Sequence, residues 1–206
     1  MSIRLSSRLY AIIDVSAGTS LESLIAFATE LKAGGVQLLQ YRNKFASSRQ
    51  ILEQAKELKR VLGPTVQLIM NDRADLCVAA SFDGLHVGQD DLSPEGARKV
   101  IGKTLVLGVS THNPDQVALA EKEPVDYIAV GPVFATASKL NPDPVIGLDG
   151  VRRARELTRK PLVAIGGITR KNCRSVIEAG ADAVAVISDL TPDPRKSAEE
   201  FLSVLR

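Results

Sequence analysis

Eight short apolar, β-rich runs recur along the chain, and helix-like segments separate them. The runs are "LYAIID", "VQLLQY", "VQLIMN", "GLHVG", "LVLGVS", "DYIAVG", "PLVAIG" and "DAVAVI". Between them lie amphipathic stretches such as "SLESLIAFATELKA", "SRQILEQAKELKRVL", "PDQVALAEKE" and "KNCRSVIEA". Near-continuous apolar strands are expected where helices cover one face of a parallel sheet and a core fills the other. The helix-to-strand turns resemble each other too: "KAGGVQLLQ" and "EAGADAVAV" both pass through Ala-Gly into a strand. Glycine past a helix end accepts the left-handed conformation needed there. Eight βα units without a linker predict an α/β protein, a single-domain (β/α)8 TIM barrel over residues 1–206, small for its class. A doubly wound open sheet is the alternative, but "IIDVSAGTS" at the first strand-to-helix junction does not supply its G-x-G-x-x-G turn.

Composition narrows the function classes. At 206 residues, 45% hydrophobic and 24% charged, the chain can bury a substantial core. A net charge of +2, no charge run, no Trp and 4% aromatics argue against a nucleic-acid partner. The opening "MSIRLSSRLYAIID" lacks the apolar core of a signal peptide, and no apolar stretch approaches the ~20 residues of a membrane span, so the expected location is cytoplasmic, with no membrane partner. Cys77 and Cys173 both fall in helix-like segments and are expected as free, buried thiols. Barrels of this kind often pair through outer helices, so a homo-oligomer is among the expectations.

Barrels gather reacting groups at the C-terminal ends of their strands. The second strand ends in "QYRNK". Side chains alternate faces along a strand, so Gln40, Arg42 and Lys44 share the face toward the barrel mouth. Cations there want an anion. The third strand closes with Asn71 and Asp72, and the fourth is followed by Asp90 and Asp91. Carboxylates from neighbouring strand ends can hold one hard cation, and Mg²⁺ prefers one or two of them, completed by waters and substrate phosphates. Helix N-capping is the competing reading for Asp72 and Asp90.

The fifth strand ends in "GVSTHN", with Ser110 and His112 on one face and Thr111 on the other. A hydrolase would need a base held by a third group, often on a G-x-S-x-G turn, which is missing here. Asn113 is a candidate helix cap, and His86 reads as a hydrogen-bonded core residue. Thr136, Ser138 and Lys139 cluster after the sixth strand, and the Pro- and Asn-rich segment beyond them is a lid candidate. "AIGGI" and "AVIS" end strands seven and eight, where barrels often bind a phosphate with backbone N–H groups. Gly166 and Gly167 would let the backbone approach closely. Two anion sites in one mouth suggest two phosphorylated substrates, or one long one.

In this order, "QYRNK", "ND", "GLHVGQDD", "GVSTHN", "GPVFATASK", "AIGGI" and "AVIS" resemble the thiamin phosphate synthase family over nearly the whole chain. The resemblance implies a transferase that joins hydroxymethylpyrimidine pyrophosphate to thiazole phosphate, giving thiamin phosphate and pyrophosphate. By position it makes Gln40, Arg42, Lys44, Asn71 and Lys139 the pyrimidine pyrophosphate contacts and Asp72 and Asp91 the Mg²⁺ ligands. It places Ser110 close to the reacting centre, with Ser110 and Lys139 as the catalytic pair. Thr136, Ser138, Gly167, Ile187 and Ser188 become the thiazole phosphate site. The family usually has Thr where this chain has Ser138; the hydroxyl is retained. Rival readings are a thiazole tautomerase using His112, a sugar-phosphate epimerase, and a non-catalytic phosphate-binding barrel. The carboxylates and cations kept together argue against the first and last. Two histidines are too few for a multi-histidine metal site.

Overall fold

All eight apolar runs form strands in the computed structural model, which describes residues 6–136 and 143–206. The strands are β1 (Leu9–Val15), β2 (Leu38–Asn43), β3 (Gln67–Asn71), β4 (Gly84–Val87), β5 (Val106–Thr111), β6 (Tyr127–Val130), β7 (Leu162–Ile165) and β8 (Ala183–Val186). They pair in parallel, each with the next, and β8 closes on β1. The helices are α1 (Leu21–Ala33), α2 (Ser48–Leu62), α3 (Ala74–Ala79), α4 (Pro94–Ile101), α5 (Pro114–Lys122), α6 (Gly147–Leu157), α7 (Cys173–Glu178) and α8 (Pro194–Val204). The (β/α)8 barrel is therefore the fold; the open sheet is excluded by the β1–β8 pairing.

Local chemistry sets the helix starts. Ser20, Ser47, Ser93, Asn113 and Asp193 each accept a hydrogen bond from a first-turn backbone N–H, and Ser47 completes a capping box with Gln50. Asn113 thus caps α5, as its sequence position suggests. Neither Asp72 nor Asp90 is a helix cap: α3 begins after Arg73 without a side-chain cap and α4 is capped by Ser93. The capping explanation for these acids therefore fails.

Alternation along the strands divides the core in two. Leu39, Tyr41, Leu68, Met70, Leu85 and Val109 point outward, into the layer beneath the helices. Tyr10, Ile12, Leu38, Ile69, Val106, Tyr127 and Val163 point inward and fill the barrel. Cys77 and Cys173 are buried and free. Burying one large aliphatic side chain contributes about 1.5–3 kcal/mol, so the outer layer holds the helices in place and frees the barrel mouth for other uses. Among the described residues, no helix is long and apolar enough to cross a membrane.

Candidate active site at the barrel mouth

The inward face changes from apolar to polar along the strands. A pocket with about 1050 Å³ of open space, solvent at its rim included, lies over the polar end. Gln40, Arg42 and Asn71 line one side, and Ser110 and Thr136 another. Gly167, Ile187 and Ser188 close the third. These eight positions, far apart in sequence, meet as the strand-end pattern predicts.

The "QYRNK" face is modified at its end. β2 starts at Leu38 rather than Val36 and runs through Asn43, so Gln40 and Arg42 lie in the strand and Lys44 follows it. Gln40 is buried at 3% exposure, and Arg42 is held by an ion pair with Asp14 at the end of β1. Lys44 does not line the pocket. It reaches over the rim, with Nζ 3.2 Å from Asp72 Oδ2.

Asp72 adopts a left-handed backbone, with φ of 61°. Burial, with the neighbouring Asp91 carboxylate second, raises its pKa to about 6, and Lys44 opposes the shift. Asp91 accepts a 2.8 Å hydrogen bond from the Gly88 N–H, while Asp90 is exposed. Two carboxylates crowded together at a half-buried rim repel, which a cation between them would relieve. No cluster of three or more His, Cys, Asp or Glu occurs among the described residues. Two carboxylates and open space for waters and phosphate oxygens fit a hard divalent cation of the Mg²⁺ type. Ser138, Lys139 and the candidate lid segment lie wholly or partly in 137–142, outside the described residues.

Under the pocket runs a line of buried polar groups. Gln40 Nε2 donates to Tyr10 Oη at 2.9 Å. Tyr10 Oη lies 2.9 Å from Tyr127 Oη, which lies 2.8 Å from His86 Nδ1. His86 Nε2 is 2.9 Å from Ser110 Oγ. His86 is the hydrogen-bonded core residue expected, and it also lines the pocket. Burial lowers its pKa to about 4, so near neutral pH it is an uncharged imidazole. It is no general base paired with an activated serine: the third group behind it is a tyrosine, whose own pKa burial pushes up. His112 differs. Its Nδ1 lies 2.7 Å from the Gly131 carbonyl and 3.5 Å from Asp143 Oδ2, so that nitrogen carries the proton. Thr111 points away from the pocket and donates to the Ala129 carbonyl.

Sequence reasoning missed Tyr10, Tyr127 and Asp14. The tyrosines sit inside apolar runs, where they read as core. The usable signal was phase: Tyr10 precedes inward Ile12 by two, and Tyr127 precedes inward Ala129 by two.

An all-parallel closed barrel with polar side chains converging at the C-terminal strand ends is the arrangement of (β/α)8-barrel enzymes. The family model for thiamine monophosphate synthase matches residues 9–190. The chain is 64% identical over 201 residues to the thiamine-phosphate synthase of Koribacter versatilis, covering 96% of this chain and 95% of that one. It is 45% identical over 184 residues to that of Chloroflexus aurantiacus, covering 88% and 83%. The thiamine phosphate pyrophosphorylase structure from Pyrococcus furiosus superposes with a TM-score of 0.84 at 34% identity, covering 96% of this chain and 95% of the other. The chain belongs to the thiamine monophosphate synthase family, and its activity is that of a thiamine-phosphate synthase, a transferase acting on small molecules.

Proposed function

We propose that the mouth pocket joins the two halves of thiamin phosphate, with the pyrimidine pyrophosphate over β2–β4 and the thiazole phosphate over β6–β8. The observation that carries the reading is the rim cluster: Lys44, Asp72 and Asp91 together beside a pocket lined by Arg42 and Asn71. Arg42, Lys44 and Lys139 would hold the pyrophosphate oxygens; Gln40 and Asn71 would orient the pyrimidine end. Asp72 and Asp91 would hold Mg²⁺, which when bound supplies positive charge for the leaving pyrophosphate.

The C–O bond between the pyrimidine methylene and pyrophosphate breaks, and its electron pair leaves with pyrophosphate. The amino group on the pyrimidine donates electron density to the cationic methylene. The thiazole nitrogen's lone pair then forms the new C–N bond. No general base is needed, because that nitrogen carries no proton to lose. The protein's contribution is to align the two rings, exclude water that would trap the cation, and stabilise charge on the departing oxygens. Lys139 would neutralise that charge from the sixth-strand loop, and Ser110 would stand beside the reacting centre. Gly167, Ile187 and Ser188, with Thr136 and Ser138, would anchor the thiazole phosphate and so fix its nitrogen in line. The reaction is placed in the cytoplasm.

The test is turnover. The chain is mixed with both substrates, with and without Mg²⁺, and thiamin phosphate is read as its fluorescent thiochrome derivative. Mg²⁺-dependent product that Asp72→Ala and Lys139→Ala each reduce supports the assignment. Unchanged turnover in folded variants removes the leaving-group half of the mechanism.

A further inference from the structure

We propose that Gln40, Tyr10, Tyr127 and His86 form a one-way hydrogen-bond relay that keeps the His86 proton on Nε2, and thereby makes the Ser110 hydroxyl a donor toward an acceptor atom of the bound substrate. Tyr10, Tyr127 and His86 are positioning residues in this scheme; Ser110 is the group that touches the substrate.

Counting protons gives the direction. The Gln40 amide donates to Tyr10 Oη. Tyr10 is 1% exposed, so its single hydroxyl proton needs an acceptor within the protein, and Tyr127 Oη is there at 2.9 Å. Tyr127 is fully buried, and its own proton goes to the remaining neighbour, His86 Nδ1, at 2.8 Å. A neutral imidazole that accepts at Nδ1 carries its proton on Nε2. That proton goes to Ser110 Oγ at 2.9 Å. Ser110 Oγ is now an acceptor within the protein, and its own proton is left for the pocket that it lines.

Packing keeps the relay in one geometry. The Tyr127 ring stacks on His86, with centroids 5.5 Å apart and planes at 25°, and meets the Tyr10 ring edge-on at 6.0 Å. Five strands contribute one member each: β1, β2, β4, β5 and β6. Buried polar groups cost stability unless every one is satisfied, and no buried side-chain N or O among the described residues lacks a partner. An aliphatic filling, as lower in the barrel, would avoid that risk. The polar line ends at Ser110, in the pocket, which is where its effect is delivered. The relay also explains why Ser110 beside His86 does not make a hydrolase: the imidazole lone pair is already taken by Tyr127, so none is left to accept the serine proton.

The chain has two histidines, which makes the tautomer directly readable. In protein labelled with ¹⁵N-histidine, long-range proton–nitrogen NMR spectra near neutral pH report which ring nitrogen is protonated. His112→Asn assigns the two rings. The expected result is His86 protonated on Nε2 and His112 protonated on Nδ1. Tyr127→Phe, which keeps the ring and removes the hydroxyl, is expected to bring Nδ1 protonation into His86. It should also lower kcat about tenfold, the worth of one neutral hydrogen bond, while changing each KM less than threefold. His86→Gln, which can still donate an amide proton to Ser110, should retain more activity than His86→Leu. The spectrum of the unaltered chain decides the direction without substrate, so it stands apart from the synthase mechanism; only the kinetic arm rests on that reading. His86 protonated on Nδ1 in the unaltered chain overturns the relay, as does a Tyr127→Phe variant with unchanged tautomer and kcat.

Discussion

The Tyr127 ring occupies the space that a side chain on Gly108 would fill: a Cβ built there would lie 2.0 Å from Tyr127 Cζ. The two residues face each other across the β5–β6 ladder. Gly108 is therefore needed for the close approach of a ring that carries the polar line from Tyr10 to His86. Gly108→Ala should displace Tyr127 and cost about 3 kcal/mol, the upper range for overpacking a filled core. On a Tyr127→Ala background the same substitution should cost under ~1 kcal/mol, because the ring it strikes is gone. Urea unfolding of the four proteins measures this. Equal costs in both backgrounds would show that Gly108 answers to some other neighbour.

Arg42 owes its direction to Asp14. The guanidinium is ion-paired to that carboxylate at the end of β1, and both side chains are mostly covered. Removing Asp14 has two opposed effects on an anionic substrate. It leaves more net positive charge at the mouth, which favours binding. It also frees a long side chain whose ordering costs up to ~2 kcal/mol. The pair is mostly covered, but the pocket that Arg42 lines opens to solvent, so the Coulomb gain toward a substrate there is partly screened and lost ordering should dominate. Asp14→Ala is expected to raise KM for the pyrimidine pyrophosphate about tenfold. A lower KM would show that Asp14 only neutralises Arg42.

The barrel was legible because each strand is an apolar run, and an apolar run survives any error in its register. β2 shows the limit. The apolar run "VQLLQY" starts at Val36 and stops at Tyr41, and the alternating "QYRNK" reading carries the strand on to Lys44, yet pairing with β1 sets it at Leu38–Asn43. Backbone hydrogen bonds to a neighbour extend a strand beyond its hydrophobic signal. α3 was not among the quoted helical stretches for the converse reason: it has no side-chain cap and its six residues are too short to show a period, whereas "KNCRSVIEA" marked α7. Arg42 was legible because period two places it on the inward face with Gln40, whereas Asp72 had a capping reading that only the start of α3 after Arg73 removes. Tyr10 and Tyr127 were not legible, because a tyrosine in an apolar strand shows its body and hides its hydroxyl. Asp14 stood in plain view at a strand end, but its meaning lies in a partner 28 residues away.

His86 gives a pH dependence with a definite sign. Burial holds its folded pKa near 4, against about 6.5 when exposed. Between those values the unfolded chain binds more protons than the folded one, so stability falls as pH falls from 6.5 toward 4. The full difference is about 3 kcal/mol, from roughly 1.4 kcal/mol per pH unit. Asp72 acts oppositely: its pKa is raised to about 6 in the fold, so it adds stability on acidification through that value. Comparing the chain with His86→Gln in metal-free buffer cancels the Asp72 contribution. The stability gap between them should shift by about 3 kcal/mol against the unaltered chain over this range. A gap that stays constant with pH would mean that His86 titrates normally.

Gly167 carries the last prediction, and it separates the two halves of the mouth. Its φ is 61°, and a Cβ built on it would lie 2.5 Å from the Ala135 carbonyl oxygen and 2.8 Å from Phe134 Cβ. Alanine there meets two penalties: roughly 1–2 kcal/mol for the left-handed backbone, and a collision with the chain leaving β6. The collision should push apart the β6 and β7 loops, and with them the wall formed by Thr136 and Gly167. Arg42, Lys44, Asp72 and Asp91 stand on β2–β4 and their loops and should not move. Gly167→Ala is therefore expected to raise KM for the thiazole phosphate at least tenfold and to change KM for the pyrimidine pyrophosphate less than threefold, the ratio set by about 1.4 kcal/mol per decade. Steady-state kinetics with each substrate varied in turn measures both constants. Equal rises would place Gly167 in a part of the pocket shared by both substrates, and a rise in the pyrimidine constant alone would reverse the assignment of the two halves.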